Sequence, residues 1–596
     1  MRHPACSRII KILLIVLAAL AALKILFVGY DLDEQYALSM SYRLLKGDCP
    51  IRDMWEPHQT SAFLASFLML PYIALTGSTA GIVLYLRALG LAVHSLTAFL
   101  LYRQTCSLFE KYTAMEPGFR RDVSLLLTCV YFFSLPKLMF FPEFSNMQLW
   151  FLLLMVLCIS HYYTQILSGR KVFSCWLAGA GLCLSLEALS YPSSLLLFPA
   201  CVYFLFRCRK LSAGQAPASG VRRSVIRELS AFCFPCIVAA LLFVGGLLTR
   251  MTWGELTALL PLAASDGSHA FSLADKLLLN GRSLLEILCF FVVYGLISLV
   301  ISLPLRKRYL SRDPHRSLSA GQNASFPALW SMILLSVTLL GQILIWILGD
   351  RYPNYPSVEY FFVPILASAL ISHRSGPEKM LSFLFVVLPL TAFAGILLLT
   401  NHPLLVSAPF LGICAMGALL CLFLHIKKTC PLLRTVLLLW AVTLLFGKCY
   451  MIRTTGGTHY TLFHPVSLMR EGPAACIMAD TETVRRYRDS LDLLRETLPG
   501  HSKVFYIGTA NGIYLMGDME FCTPSTISSP TFDEKTEAYF ALHPEKYPEY
   551  IICDAELASL DGDGFLPGFL RKNCVPEPIS ENDFLVIYRT VDSPAP

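Results

Sequence analysis

Two adjacent carboxylates, Asp33-Glu34, stand just beyond the first apolar run of the chain, Ile9–Gly29. A carboxylate at a membrane surface can take the proton from an incoming hydroxyl or amine, or hold a metal against a phosphate leaving group. Asp31, Arg43, Asp48, Arg52, Asp53, Glu56 and His58 follow within the same short stretch. Further along, Pro142-Glu143 and Glu187 offer carboxylates near the ends of apolar runs. Arg87 lies a few residues inside such a run, where a charge must be paired or wet. Arg351-Tyr352 sits in the short loop 349–355, and a guanidinium fork suits a phosphodiester. The bland alternatives are an acidic pair marking a membrane boundary, an arginine that snorkels to the interface, and an Asp350–Arg351 pair.

Those residues need a scaffold, and composition limits what it is. Of 596 residues, 55% are hydrophobic and 15% charged, with mean hydropathy +0.58. An average soluble chain carries about 25% charged residues, so this chain cannot cover itself with polar surface. Apolar runs long enough to cross about 30 Å of hydrocarbon recur along most of its length. Residues 450–596 break the pattern, with 12 Lys/Arg against 21 Asp/Glu, whereas residues 1–449 hold 36 against 20. The composition therefore implies a basic, apolar membrane body (1–449) and an acidic, ordinarily polar tail (450–596). The basic residues fall in short loops rather than on one soluble face, so no nucleic-acid partner is expected. The 20 cysteines are scattered without CxxC or Cys/His ligand spacing, which points away from a metal site built on them.

Thirteen spans are expected: about 9–29, 81–102, 122–140, 147–167, 172–190, 194–206, 229–249, 283–304, 326–348, 358–372, 379–400, 403–425 and 431–449. The stretch 61–76 is apolar too, but counting it as a span would turn every later loop to the other side. The positive-inside rule decides against it. Without that span, 25 Lys/Arg fall inside against 8 in the outside loops. Residues 30–80 then form a long outer loop with helices along the interface. The N-terminus lies in the cytoplasm, and the tail lies outside the cell.

Two outer loops are polar enough to carry function. One is 30–80. The other, 250–282, holds Trp253, Glu255, Asp266, His269 and Arg282. In the tail, a helix over 481–498 and strands at 503–507, 550–553 and 584–588, with helices at 533–542 and 555–571, favour a parallel sheet covered by helices. Gly508-Thr509-Ala510-Asn511-Gly512 follows a strand but lacks the spacing of a phosphate loop, and reads as a turn. His459 and His464 fit an acceptor entrance or ordinary interface positions. Trp150, Trp330 and Tyr360 read as belt anchors at span ends.

The order Asp33-Glu34-Gln35-Tyr36, Arg43, Gly47-Asp48, Trp55-Glu56-Pro57-His58-Gln59, then an apolar stretch, Gly77 and Arg87, resembles the GT-C glycosyltransferases that take sugars from polyprenyl phosphates. Protein O-mannosyltransferases and lipid A aminoarabinose transferases belong to that group. The resemblance covers about residues 10–110 by motif and the rest by topology. It implies a polytopic α-helical membrane protein of about thirteen spans, GT-C-like, with a C-terminal extracytoplasmic small α/β domain. It further implies Asp33 as the base or acceptor-orienting carboxylate, Glu34 beside it, and Glu143 as the second acidic residue. Arg87, Arg351 and Tyr352 would hold the donor phosphate, while Glu56, His58 and Glu187 would line the substrate cavity. Many relatives carry Lys-Pro-Pro where this chain has Glu56-Pro57-His58, and some have an arginine where it has Gln35.

The implied activity is transfer of a sugar from a polyprenyl-phosphate donor to a glycan, lipid or protein acceptor at the outer leaflet of a bacterial plasma membrane. No organic cofactor is implied, and the paired acids are compatible with a divalent metal. Two rivals stand beside this reading. A polysaccharide polymerase or ligase shares the donor but more usually places its key Arg/His residues in a large late loop. A transporter or flippase predicts repeated halves or mid-membrane charges, and neither is present in the sequence.

Overall fold

The computed structural model describes residues 4–56, 58–135, 139–168, 173–212, 218–264, 272–311, 326–348, 362–366, 376–399, 404, 411–426, 431–450, 452–454, 457–459, 465–527, 533–558 and 564–591. The body is helical. Its first twelve helices are α1 (Pro4–Phe27), α2 (Leu32–Leu45), α3 (Ala62–Thr76), α4 (Ile82–Tyr112), α5 (Pro117–Phe132), α6 (Phe144–Leu167), α7 (Cys175–Ser190), α8 (Leu197–Ser212), α9 (Ala218–Leu248), α10 (Trp253–Ala264), α11 (Leu273–Ser311) and α12 (Phe326–Leu348). The stretches Leu388–Leu399, Gly412–Ile426 and Pro431–Tyr450 continue the body. Among the described residues, six helices are long and apolar enough to cross a membrane and five shorter ones are apolar. Rows of bare Leu, Val and Ile on α1, α9 and α11, such as Leu13, Leu242 and Leu278, belong against lipid rather than water.

The stretch 59–76 is among those six by length and composition, and contacts pin both its ends. At its start, Ala62 packs with Phe144 and Tyr191, and Phe63 meets Phe243 edge-on at 5.4 Å. Just past its other end, Thr79 donates to the Leu515 carbonyl of the tail at 3.1 Å, and the Gly81 amide donates to Gly472 at 3.0 Å. Phe67, Leu70 and Leu75 are bare on its outer side. Elsewhere in the body, Asp122 near the start of α5 joins Lys11 of α1 to Arg434, the latter at 2.7 Å.

Close backbone approach holds α7 against α9. A Cβ on Gly181 would stand 2.0 Å from the Phe232 carbonyl oxygen, so only glycine fits there. Trp150 is not a belt anchor. It is buried, and its indole donates to His94 Nδ1 at 2.9 Å, because α6 turns that face inward. Trp330 likewise donates to the Gly295 carbonyl at 3.2 Å.

The tail carries the hairpins β1–β2 (Ile452–Thr454, Gly457–His459) and β3–β4 (Val466–Leu468, Met478–Asp480). Its main sheet has the order β6-β5-β7-β9-β8, with β5 Lys503–Ile507, β6 Glu520–Phe521, β7 Tyr550–Asp554, β8 Ser580–Glu581 and β9 Leu585–Arg589. Strands β6, β5 and β7 are parallel, but β9 runs antiparallel to β7. The wholly parallel expectation fails at this edge because β8 and β9 form a tight hairpin, which reverses the chain without a crossover helix. The helix Thr481–Thr497 starts as its sequence suggests, with Asp480 capping the Thr483 amide at 2.9 Å. The expected helix over 555–571 is instead a short turn at Ala555–Leu557 and a helix at Phe565–Asn573. The cysteines whose side chains are described, Cys49, Cys476, Cys522, Cys553 and Cys574 among them, are free thiols.

The tail rests on α2. The Tyr42 hydroxyl donates to Asp518 at 2.6 Å, and Lys46 pairs with the same carboxylate. Burial pushes the Asp518 carboxyl up, but Lys46 and Tyr42 outweigh it and leave its pKa below the ordinary value. A depressed carboxylate stabilises above its unfolded pKa, about 4, and loses that contribution as pH falls through the folded value. Amide exchange at the end of α2 should therefore quicken below about pH 4, and Asp518→Asn should show the faster exchange already at neutral pH. Equal exchange in both proteins at pH 7 would remove this latch.

Candidate functional site

Helix α2 is buried on three sides, and each side has its own residues. At about 100° per residue, Gln35, Ser39, Tyr42 and Lys46 share one face. That face meets the tail: the Gly512 amide donates to Gln35 Oε1 at 3.3 Å, and the Ser39 hydroxyl donates to the Asn511 carbonyl. Glu34 and Leu38 form the second face, toward the body. Asp33, Tyr36, Ala37 and Met40 form the third. The helix begins where it does because Asp31 caps it, accepting from the Asp33 amide at 2.9 Å, and it ends before Gly47, whose φ of 101° suits glycine.

On the body face, Arg87 of α4 grips Glu34 with a two-pronged contact, Nε to Oε1 and Nη2 to Oε2, both at 2.6 Å. Its remaining reach goes to the Gly29 carbonyl at 2.8 Å and the Leu26 carbonyl at 3.2 Å. Both side chains are fully buried. The arginine expected to hold a donor phosphate is thus engaged by a carboxylate. It locks the end of α1, the start of α2 and the start of α4 together, and the expected catalytic partner Glu34 is the other half of that lock.

Arg43 organises the loop that follows. Its guanidinium is fully buried and donates to Asp48 at 2.5 Å, Glu56 at 3.2 Å, Thr523 O at 2.6 Å, Tyr539 Oη at 3.2 Å and the Asp53 carbonyl. Burial works against its charge, but Asp48, the Tyr539 phenol and Glu56 outweigh that and hold its pKa above the ordinary value. Glu56 also accepts from the Thr526 hydroxyl at 2.7 Å. Burial raises the Glu56 carboxyl, against the pull of Arg43 and Thr526. Glu56 therefore ties the loop to the tail and is not beside His58 as a cavity wall. The polar loop 250–282 is not part of this cluster either. Its helix α10 sends Leu256 and Ala263 into an apolar patch with Cys49 and Trp55, while Trp253 is exposed and Glu255 caps the Thr252 amide at 2.7 Å.

His58, two residues beyond Glu56, marks the place where the third face of α2 meets the body. Its ring stacks on Phe144, 3.7 Å between centroids and 3° between planes, and tilts against Tyr191 at 5.1 Å. Tyr36, Met40, Met54, Ala62, Phe144, Tyr191 and Ile396 pack as one buried cluster here. Asp33 stands one turn before Tyr36 on the same face. Glu143 immediately precedes Phe144 and caps α6, accepting from the Ser145 amide at 2.9 Å and the Asn146 amide at 2.6 Å. Glu187 lies one turn before Tyr191, whose amide donates to the Glu187 carbonyl at 2.7 Å. Four distant segments thus bring Tyr36, His58, Phe144 and Tyr191 to one place, and Asp33, Glu143 and Glu187 are their near neighbours in the chain. The aromatic walls Tyr36, Phe144 and Tyr191 were not singled out as site residues in the sequence. The available signal was an aromatic residue directly after Glu143 and one turn after Asp33.

Arg351, Tyr352, Asp266, His269, His464 and Tyr360 lie outside the described residues, as does the side chain of His459. Among the described residues, no three His, Cys, Asp or Glu side chains gather as a metal site. Glu34 is engaged by Arg87 and Glu143 by two amides, so no step below is routed through a metal. In the tail, Thr509 donates to Asp554 through its amide at 2.9 Å and its hydroxyl at 3.1 Å. Asp554, itself paired with Arg486 at 2.8 Å, thus closes the turn 508–512 by taking its amide and hydroxyl.

No protein-family model matches the chain, and no curated protein matches it. Among solved structures it is similar to the archaeal oligosaccharyltransferase AglB from Archaeoglobus fulgidus, in complex with an inhibitory peptide and a dolichol-phosphate. The identity is 13% and the TM-score 0.40, over 92% of this chain and 69% of that one. It is also similar to ArnT from Cupriavidus metallidurans bound to undecaprenyl phosphate, with 10% identity and a TM-score of 0.37 over 99% of each chain. At those scores the functional argument rests on the residues themselves.

Removing one member of a buried ion pair strands the other and costs about 3–5 kcal/mol. Glu34→Ala and Arg87→Ala should each lower stability by that order, measured by unfolding in detergent. The double substitution should lose clearly less than the sum, and Arg87→Lys should not restore the wild type, because an ammonium lacks the fork. Simple additivity would show that the two side chains act independently.

Proposed function

We propose that this chain is a membrane glycosyltransferase, moving a sugar from a polyprenyl-phosphate donor to an acceptor hydroxyl or amine on the outer face of the membrane. The observation that supports the reading is the stack of His58 on Phe144 and Tyr191, on elements whose neighbouring positions carry Asp33, Glu143 and Glu187. Carboxylates next to flat aromatic faces suit a sugar, which presents hydroxyls at its rim and C–H surface on its faces. The neighbouring apolar helices suit the lipid tail of the donor.

In this mechanism Asp33 accepts the proton of the acceptor as its oxygen or nitrogen attacks the anomeric carbon. The bond from that carbon to the phosphate oxygen breaks, and its electron pair leaves with the phosphate, inverting the centre. Because polyprenyl phosphate is a stable anion, the work of the site is orientation and charge stabilisation. Glu34, held by Arg87, fixes the start of α2 and so aims Asp33. Glu143 fixes the start of α6 and so sets Phe144. Arg351 and Tyr352 are assigned to the donor phosphate from their residue types and loop position. The proposed frame has about thirteen spans, a cytoplasmic N-terminus, and residues 450–596 as an extracytoplasmic α/β domain seated on the first outer loop.

Two measurements test this. In proteoliposomes with radiolabelled polyprenyl-phosphate sugars and an envelope extract, the wild type should transfer label. Asp33→Asn should transfer at least about 100-fold more slowly while still binding donor. Undiminished transfer by the mutant would move the proton acceptor elsewhere, and no binding of any donor would sink the enzyme reading. For orientation, alkaline phosphatase fused after residue 591 should be active in cells and inactive when inserted between α6 and α7.

A further inference from the structure

Among the described residues, the bundle holds one buried carboxylate with little to answer it. Glu187 is fully buried near the end of α7, and neither of its carboxylate oxygens has a hydrogen-bond partner. The Ser194 hydroxyl stands beside it, but that hydroxyl is approached from the other side by Gln148 Nε2 at 3.4 Å. Gln148 Oε1 and Ser193 Oγ are buried and without partners as well. These groups come from α6, α7 and the turn Pro192–Leu196, and the turn is pressed against Gly395, whose Cβ would meet the Ser193 carbonyl at 3.0 Å. They form a polar group next to Tyr191 in the chain, with Glu187 one helical turn before it and Ser193 two residues after it.

A buried polar group without a partner costs on the order of 1–3 kcal/mol, and a charged one more. Four such atoms together, within a span, are too unfavourable to be packing residues alone. Leu or Met would fill the same volume and stabilise the helices. The deficit is one of hydrogen-bond donors: the Glu187 oxygens and Gln148 Oε1 all accept, while Ser193 can do either. A ligand that fits must bring several hydroxyl groups. We propose that Glu187, Gln148 and Ser193 form the subsite for the ring hydroxyls of the transferred sugar, with Glu187 bridging two neighbouring hydroxyls. This rests on the sugar-transfer reading above and adds to it which residues meet the sugar end of the donor.

The assignment has a signature that a structural role would not give. Replacing a structural carboxylate lowers stability, whereas removing one that awaits a ligand raises the stability of the empty protein and abolishes only the sugar-dependent part of binding. The test compares thermal unfolding of detergent-purified protein alone, with polyprenyl phosphate, and with the polyprenyl-phosphate monosaccharide that the wild type transfers. In wild type the sugar-bearing lipid should raise the midpoint more than the bare lipid. Glu187→Leu should unfold at a higher temperature than wild type when empty, and the two lipids should stabilise it equally. Glu187→Gln, which keeps the shape, should bind the sugar-bearing lipid at least tenfold more weakly and the bare lipid unchanged. A lowered midpoint in Glu187→Leu, or a full sugar-dependent increment in Glu187→Gln, would overturn the assignment while leaving Asp33-dependent transfer intact. If neither lipid stabilises wild type, the sugar-transfer reading itself fails.

Discussion

A guanidinium sealed from water must have its N–H groups answered by protein, and Arg43 sets the terms for much of this molecule. Its partners are two carboxylates and a carbonyl of the first loop, and a carbonyl and a phenol of the tail. Any shift of the tail against the loop leaves a charge buried and unpaired, which the surrounding apolar packing cannot compensate. The loop therefore has one conformation, and His58 is delivered from it to the stack on Phe144 and Tyr191. Arg87 does the same for the start of α2. Two buried arginines at opposite ends of one fourteen-residue helix thereby fix both its rotation and its position.

The proposed chemistry is assigned to the side of that helix that neither arginine uses. Asp33 and Glu34 are neighbours in sequence but look in different directions, because successive residues of a helix are separated by about 100°. One carboxylate is fully engaged with an arginine in the frame; the other shares a face with Tyr36 and Met40. A pair that reads as a unit in the sequence thus divides into a structural and a chemical member. The same division appears at α6, where Glu143 serves the helix start and Phe144 serves the site.

What the sequence revealed follows from the range of the forces involved. Elements fixed by local pattern were legible, such as the strand Lys503–Ile507 and the helix after Asp480, whose capping side chain stands next to it in the chain. The basic loops argue that 61–76 stays on one face, since charge asymmetry acts on the whole chain. Long-range pairing was not legible. That Arg87 must be paired or wet followed from its depth, but that its partner is Glu34, 53 residues away, rather than a donor phosphate depended on tertiary packing. Trp150 looked like an anchor because indoles favour interfaces, and only the position of His94 made it a core residue. The antiparallel edge of the tail sheet escaped because strands as short as β8 carry no periodicity to read.

The docking of the tail also governs when the protein becomes itself. Glu56 meets Thr526 across 470 residues, and Ser39 meets Asn511 across 472. A chain emerging from the ribosome makes α2 almost first and the residues that seat it almost last. Until the final strands have formed, Arg43 lacks the Thr523 and Tyr539 acceptors that the tail supplies, and the first loop has no reason to settle. The helices can form one after another, but the contacts that seat α2 and the first loop on the tail are complete only when the tail has been made.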